Sequence, residues 1–308
     1  MPSTFTAELE FAITVANQAS VEIRRLYDDQ TAATYIKDDQ SPVTDADLAS
    51  DAIIREALAR DYPGDAVLTE EGIDDAARLS ATRVWIADPI DGTQQFVDCT
   101  GQFDVLLALV VDGRPVLSVM AQPATGIYLA AEVGGGAFGG TVDSTERFPI
   151  SLAQPDPAVS WGTTIWLGAP DTLPYLERVG ERAGIDSPVT TSTGVIARQY
   201  MDPDHPLFAA KHNPATSPPH SPLHAFVGLP LRGDGTMAWE WDFITADLVV
   251  HEAGGHFTDC RGRLHCYNKR LPRNVGGLIM ATTSELHSRL VDAAAVELDA
   301  IEALHREE

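Results

Sequence analysis

Three apolar runs with very short breaks between them constrain this chain most. Phe103–Val111, Pro115–Gln122 and Ile127–Glu132 are interrupted only around Asp112-Gly113 and Ala124-Thr125-Gly126. Parallel strands need a crossover of a dozen residues or more, so breaks this short leave only hairpins and an antiparallel sheet. Two shorter apolar runs precede them, Ala66–Leu68 and Val84–Ala87, each bounded by turn residues and read as strands. Upstream, residues 4–27 read as a helix whose apolar face includes Leu9, Ile13, Ala16 and Val21. Thr44 is placed to cap a second helix running to about Arg60. After about Ile150 apolar strands alternate with helical patterns. The expected organisation is therefore an α+β half over residues 1–149 with an antiparallel sheet, followed by an α/β half over residues 150–308 with a mixed sheet. Hydrophobic residues make up 44% of the 308, enough for a sizeable shared core. No internal repeat is evident.

Charge narrows the partners. The formal net charge of −24 argues against non-specific binding to nucleic acid or to an anionic membrane. No run approaches the roughly 20 apolar residues of a membrane span. The three cysteines, Cys99, Cys260 and Cys266, and a beginning without a basic region followed by an apolar stretch, read as a reducing, cytoplasmic setting. His256, Cys260, His265 and Cys266 fit no common zinc spacing, so a strand hairpin carrying incidental polar residues is the better reading. The glycines of 134–140 lack the Lys-Ser/Thr of a nucleotide-binding loop and read as a turn or loop.

Chemistry concentrates in three short segments. In Asp88-Pro89-Ile90-Asp91-Gly92-Thr93 two carboxylates three residues apart follow a buried strand, and Pro89 is expected to end that strand. Asp88, Asp91 and the Ile90 carbonyl can then converge as hard oxygen donors of the kind Mg²⁺ takes. Gly92 and Thr93 offer backbone N–H groups at the start of a helix, a position that favours anions. Taken alone, the hexapeptide would be an ordinary Asp-Pro turn. Glu70-Glu71 closes the Ala66–Leu68 run, and like charges side by side call for a cation or solvent between them. Trp241-Asp242 opens a helix with Phe243, Ala246, Val250 and Ala253 at helical spacing and Gly254-Gly255 as its stop. Asp242 alone would be an N-cap.

Together these segments resemble the inositol monophosphatase superfamily of metal-dependent phosphatases. Its pattern has Glu-Glu after a strand, Asp-Pro-Ile/Leu-Asp-Gly-Thr, and Trp-Asp leading into a helix that ends Glu-Ala-Gly-Gly. Here these are Glu70-Glu71, Asp88 to Thr93 followed by Phe96, and Trp241-Asp242 ahead of Glu252-Ala253-Gly254-Gly255. Val43-Thr44-Asp45-Ala46-Asp47 is similar to the family's Val-Thr-x-x-Asp. The resemblance spans about residues 37–277. It implies a layered αβαβα sandwich with the site between the halves, a homodimer, and a Li⁺-sensitive, Mg²⁺-dependent phosphatase acting on a small phosphate ester. Glu70, Asp88 and the Ile90 carbonyl would hold one Mg²⁺, and Asp88, Asp91 and Asp242 a second; Glu70 would touch a third through water. Gly92 and Thr93 would bind phosphate. Asp47 and Thr93, with Glu70, would be the catalytic residues that orient and deprotonate the attacking water. The rival reading, an aspartyl-phosphate enzyme using Asp45-Ala46-Asp47, lacks the preceding apolar strand.

The substrate is less defined. Inositol monophosphatases carry a Glu about seven residues before the Trp-Asp aspartate; Gly235 stands there, with Asp234 beside it as a substitute hydroxyl acceptor. Ser192 and Gly194 are the other expected substrate contacts. Ser41-Pro42-Val43-Thr44 and Gly101-Gln102-Phe103 look more like the 3'(2'),5'-bisphosphate nucleotidase branch, Asp88-Pro89-Ile90-Asp91 with Val97 more like the inositol branch. Histidinol-phosphate phosphatase is a third possibility, and a metal- or phosphate-binding regulatory protein a non-enzymatic one. Arg198, Lys211 and Arg232 are available for a second anionic group. Residues 202–232, rich in proline and histidine, read as a long loop, either a lid over the substrate or a surface excursion.

Overall fold

The computed structural model describes residues 5–155, 158–164, 169–186, 188–191, 205, 207, 222–230 and 235–307. Among them, helices α1 (Thr6–Asp29) and α2 (Asp45–Asp61) flank a small hairpin of β1 (Thr34–Ile36) and β2 (Pro42–Thr44). Then come β3 (Ala66–Thr69), a 3₁₀ turn (Ala76–Ser80), β4 (Arg83–Asp91), the short α3 (Thr93–Val97), and the meander β5 (Asp104–Val111), β6 (Arg114–Gln122), β7 (Ile127–Glu132), β8 (Gly136–Thr141) and β9 (Phe148–Pro149). These form one seven-stranded sheet in chain order. All neighbours are antiparallel except β3 and β4. The hairpin reading of the breaks near residues 113 and 125 holds.

The second half adds β10 (Trp161–Thr164), α4 (Ala169–Ala183), β11 (Val189–Thr191), β12 (Ala225–Gly228), β13 (Thr236–Trp239), α5 (Glu240–Glu252), β14 (His256–Thr258), β15 (Arg273–Val275), β16 (Leu278–Ala281) and α6 (Ser284–Glu307). The second sheet has the order β11-β10-β12-β16-β14 and mixes parallel with antiparallel pairs.

Side-chain alternation explains the stacking. On β5, Val105, Leu107 and Leu109 pack against α1 and α2, while Leu106, Ala108 and Val110 point to the opposite face. Both faces are covered, so the strand reads as continuously apolar. Helix α5 is buried on all sides: Trp241, Phe243, Ile244, Ala246, Leu248, Val249 and Val250 are all inside. A helix apolar all round belongs in the middle of a structure. It lies between the sheets, with Phe243 and Val249 sharing a core with Leu129 of β7 and Met280 of β16. Helices α4 and α6 cover the far face of the second sheet. The layers are therefore α1α2, sheet, α5, sheet, α4α6, the expected αβαβα sandwich. No described helix is long and apolar enough to cross a membrane.

Three local readings change. Val21, expected on the buried face of α1, is 61% exposed. Pro89 does not end β4, which runs on to Asp91; the ladder to β5 is instead interrupted between Asp88 and Asp91, which is how a strand accommodates a residue without an N–H. Helix α5 starts at Glu240, so Asp242 is its third residue rather than its cap; its Oδ2 accepts from the Trp239 N–H at 2.8 Å. The glycines of 134–140 divide between a turn and β8, and Glu252 at the end of α5 pins that turn by accepting from the Gly134 and Gly136 N–H groups, each at 2.9 Å.

Candidate active site

The end of β4, the start of α5, the start of α2 and the turn after β3 meet at one place. Asp88 is buried, and its Oδ1 accepts from the Ile90 N–H at 3.0 Å, folding the chain back so that Asp91 follows on the same side. The Ser50 hydroxyl holds the Pro89 carbonyl at 2.9 Å. Gly92 has φ +93°, and a Cβ there would sit 3.0 Å from the Gln102 carbonyl, so only glycine fits this turn. Carboxylate oxygens of Asp88, Asp91 and Asp242 lie within 4.8 Å of one another. Asp88 and Asp91 come from one strand and Asp242 from a helix more than a hundred residues on.

The acids repel one another strongly. Burial, then Glu70, Asp91 and Asp242, hold the Asp88 carboxyl well above its ordinary value. Burial, then Asp104 and Glu70, push Asp91 up to about 8. Asp242 is raised by burial and by Asp91 and Glu70, with partial relief from the Trp239 N–H and then Arg273. Hard oxygen donors, one buried and two half-buried, and mutually repulsive, are the donor set of a divalent cation such as Mg²⁺, so the residues fit the ion implied by the resemblance. The N-termini of α2 and α5 also point their positive dipole ends here, which lowers the cost of gathering the charges.

Thr93 and Asp47 form the other half of the site. The Thr93 hydroxyl donates to Asp47 Oδ1 at 2.8 Å and lies 3.3 Å from the Ile90 carbonyl. Asp47 Oδ2 accepts from both the N–H (2.8 Å) and the hydroxyl (2.5 Å) of Thr44, the capping box of α2. Burial raises the Asp47 carboxyl despite these donors. Helix α3 is only five residues long, so its backbone N–H groups, more than a macrodipole, would serve an anion.

Glu70 lies near this cluster but outside its tightest group. Its Oε1 and that of Glu71 accept from Lys37 Nζ at 2.7 and 2.5 Å. Burial moves Glu71 up to about 7 even so. Sequence reasoning missed Lys37, which arrives on the β1–β2 hairpin without any motif of its own. It also missed Asp104, which stands opposite Asp91 on β5; a carboxylate opening an otherwise apolar run was the available signal. Arg273 was missed too; its guanidinium lies 3.7 Å above the Trp239 ring. Ser192, Gly194, Asp234, Arg198, Lys211, Arg232 and most of the 202–232 segment lie outside the described residues.

The sequence profile of the inositol monophosphatase family matches residues 6–173. A 3'(2'),5'-bisphosphate nucleotidase CysQ of Aggregatibacter actinomycetemcomitans is 39% identical over 140 residues, 45% of this chain but only 52% of that protein. A histidinol-phosphatase of Mycobacterium tuberculosis is 29% identical over 291 residues, 92% of this chain and 96% of that one. An IMPase of Thermotoga maritima has the same fold: its solved structure superposes with a TM-score of 0.68 at 22% identity, over 96% of this chain and 100% of that one.

Proposed function

The chain belongs to the inositol monophosphatase family, and from that premise we propose that it is a Mg²⁺-dependent phosphomonoesterase hydrolysing a small phosphorylated metabolite. The observation that carries this reading is the convergence of Asp88, Asp91 and Asp242 next to the Thr93–Asp47 pair. Asp88, Asp91, Asp242, Glu70 and the Ile90 carbonyl would hold two or three ions. When bound, such ions supply positive charge for the phosphoryl oxygens and make hydroxide accessible near neutral pH.

The chain's own groups do the rest. Because the Thr93 hydroxyl gives its proton to Asp47, its oxygen lone pairs face outward to accept a hydrogen bond from water. Water then donates to Thr93 Oγ1, and the proton is passed to Asp47 Oδ1, a carboxylate made more basic by burial. The Gly92 and Thr93 N–H groups would orient the phosphate. Phosphoryl transfer needs chiefly positioning and charge neutralisation, and these groups supply the positioning.

For substrate, an inositol monophosphate-like or related cyclitol or sugar phosphate is the first candidate. A 3'-phosphoadenosine 5'-phosphate-type nucleotide is favoured by the similarity to CysQ, and histidinol phosphate by the near full-length similarity to histidinol-phosphatase. The same reading includes a cytoplasmic homodimer, a boundary near residue 149 between the halves, and no nucleic-acid or membrane partner. The test is phosphate release from a panel of these esters with Mg²⁺, with and without EDTA. EDTA-sensitive release is expected, and the preferred ester assigns the branch; a folded protein that binds Mg²⁺ yet releases phosphate from none of them contradicts the proposal.

A further inference from the structure

Glu70 and Asp242 reach the site on elements far apart in the sequence, the turn after β3 and the first turn of α5, whose flanking residues Leu68 and Trp241 share one buried cluster. Beyond that packing, the loop before β15 ties the first turn of α5 to the 3₁₀ turn that begins six residues after Glu70. Arg78, in the 3₁₀ turn that follows Glu70, is 1% exposed. Its Nε and Nη2 donate to the two oxygens of Asp74 at 2.6 and 3.0 Å. Its Nη1 donates to Asn268 Oδ1 at 2.6 Å and to the Lys269 carbonyl at 3.0 Å. Asn268 returns a bond from Nδ2 to the Arg78 carbonyl at 3.0 Å.

The same loop grips α5. Glu240, the fully buried first residue of that helix and two positions before Asp242, accepts from the Asn268 N–H at 2.7 Å and the Lys269 N–H at 3.2 Å, and pairs with the Lys269 ammonium. Asn268 meets both partners because it adopts φ +66°, a conformation that asparagine tolerates better than most residues. One residue earlier, Tyr267 bonds the Gly113 carbonyl through its N–H at 2.9 Å and Asp247 of α5 through its hydroxyl at 2.8 Å.

We infer that Arg78, Asn268 and Glu240 are positioning residues that fix the spacing between the Glu70 turn and Asp242, and so tune the affinity of the site for divalent cations. The two buried charges are each balanced by a more exposed partner, Arg78 by Asp74 and Glu240 by Lys269, so they do not draw on the acids of the site. None of the three residues would touch substrate. Outer groups that hold metal ligands in place change metal affinity by about 10- to 100-fold when altered.

This inference rests on the proposed metal site, and the test separates the two. Mg²⁺ binding to the full chain would be measured by calorimetry, well below the unfolding temperature, for wild type, Arg78→Lys, Asn268→Gly and Glu297→Gln. Lysine keeps the charge but cannot reach Asp74 and Asn268 together. Glycine keeps the backbone conformation at 268 and deletes the side chain. Glu297 is buried under α4, where it pairs with Arg178 and Arg182, so Glu297→Gln destabilises the protein away from the site. The expected result is Mg²⁺ affinity about tenfold weaker in Arg78→Lys and Asn268→Gly and unchanged in Glu297→Gln. Affinity within twofold of wild type in whichever of the first two variants folds, or an equal loss in Glu297→Gln, overturns the positioning role. A wild-type chain that binds no Mg²⁺ overturns the metal site itself, and the positioning role with it.

Discussion

Replacing Asp247 with asparagine should destabilise the helix that carries Asp242 by an amount the structure lets one estimate. Asp247 is completely buried on α5. It accepts both Arg114 Nη1 and Nη2 at 2.9 Å, His251 Nδ1 at 2.9 Å and the Tyr267 hydroxyl at 2.8 Å. An amide cannot accept from all of them, and its NH₂ would face other donors. Breaking a buried ion pair costs about 3–5 kcal/mol; Arg114 is about one-third exposed, so water recovers part and the low end applies. The Tyr267 hydroxyl, buried, loses its acceptor at about a further 1 kcal/mol. A total of about 4 kcal/mol, against an unfolding entropy of about 0.65 kcal/mol/K for a chain this long, lowers Tm by about 6 °C.

The effect should also depend on pH. Burial opposes the charged form of His251, but Asp247 outweighs it and raises the imidazole above its ordinary value. Stability from a raised histidine is fully present below its unfolded value of about 6.5 and is lost as pH rises through the folded one. Asp247 itself is held low by His251 and Arg114 against the opposing effect of burial, so its contribution disappears only in acid. The gap between wild type and Asp247→Asn, measured by calorimetric unfolding, should therefore be widest near pH 5–6 and narrower at pH 9. A Tm loss under about 2 °C at pH 6, or a gap that widens with pH, refutes this reasoning.

Asp91→Asn should lower phosphate release at least about a hundredfold while leaving Tm in EDTA unchanged or higher, since a half-buried like charge is removed; steady-state kinetics and calorimetry check both. Thr93→Val should reduce kcat by about 10² or more with Mg²⁺ affinity intact, because only the hydroxyl between water and Asp47 is lost; near-normal kcat would remove Thr93 from the mechanism. In EDTA the protein should lose stability as pH rises from about 4 through about 8, the interval between the ordinary Asp91 value of 3.8 and its folded one. Mg²⁺ should cancel that slope in thermal unfolding curves.

Much of this was legible in the sequence because it is local. The 103–132 meander follows from turn lengths, and Asp88 to Thr93 from a few adjacent residues whose geometry the chain itself dictates. The cap at Thr44 and the Glu-Ala-Gly-Gly helix stop were legible for the same reason. What escaped depends on distant pairing. Lys37 bridges Glu70 and Glu71 only because the β1–β2 hairpin is folded over that turn. Arg78 is buried only because Asn268, 190 residues away, meets it. Tertiary context also explains Val21, which has helical spacing but no partner layer above it, and β4, where pairing with β5 resumes at Asp91 and carries the strand past a proline that local rules would make its end.

The most direct test of the central claim is a crystal of the full chain soaked in Mn²⁺, with anomalous scattering used to locate the ion. The expected result is a peak bound by oxygens of Asp88, Asp91 and Asp242 at about 2.0–2.2 Å, with further density toward Glu70. A clean map with no peak among these carboxylates, or ions bound only elsewhere, would contradict the assignment of this cluster as the catalytic metal site.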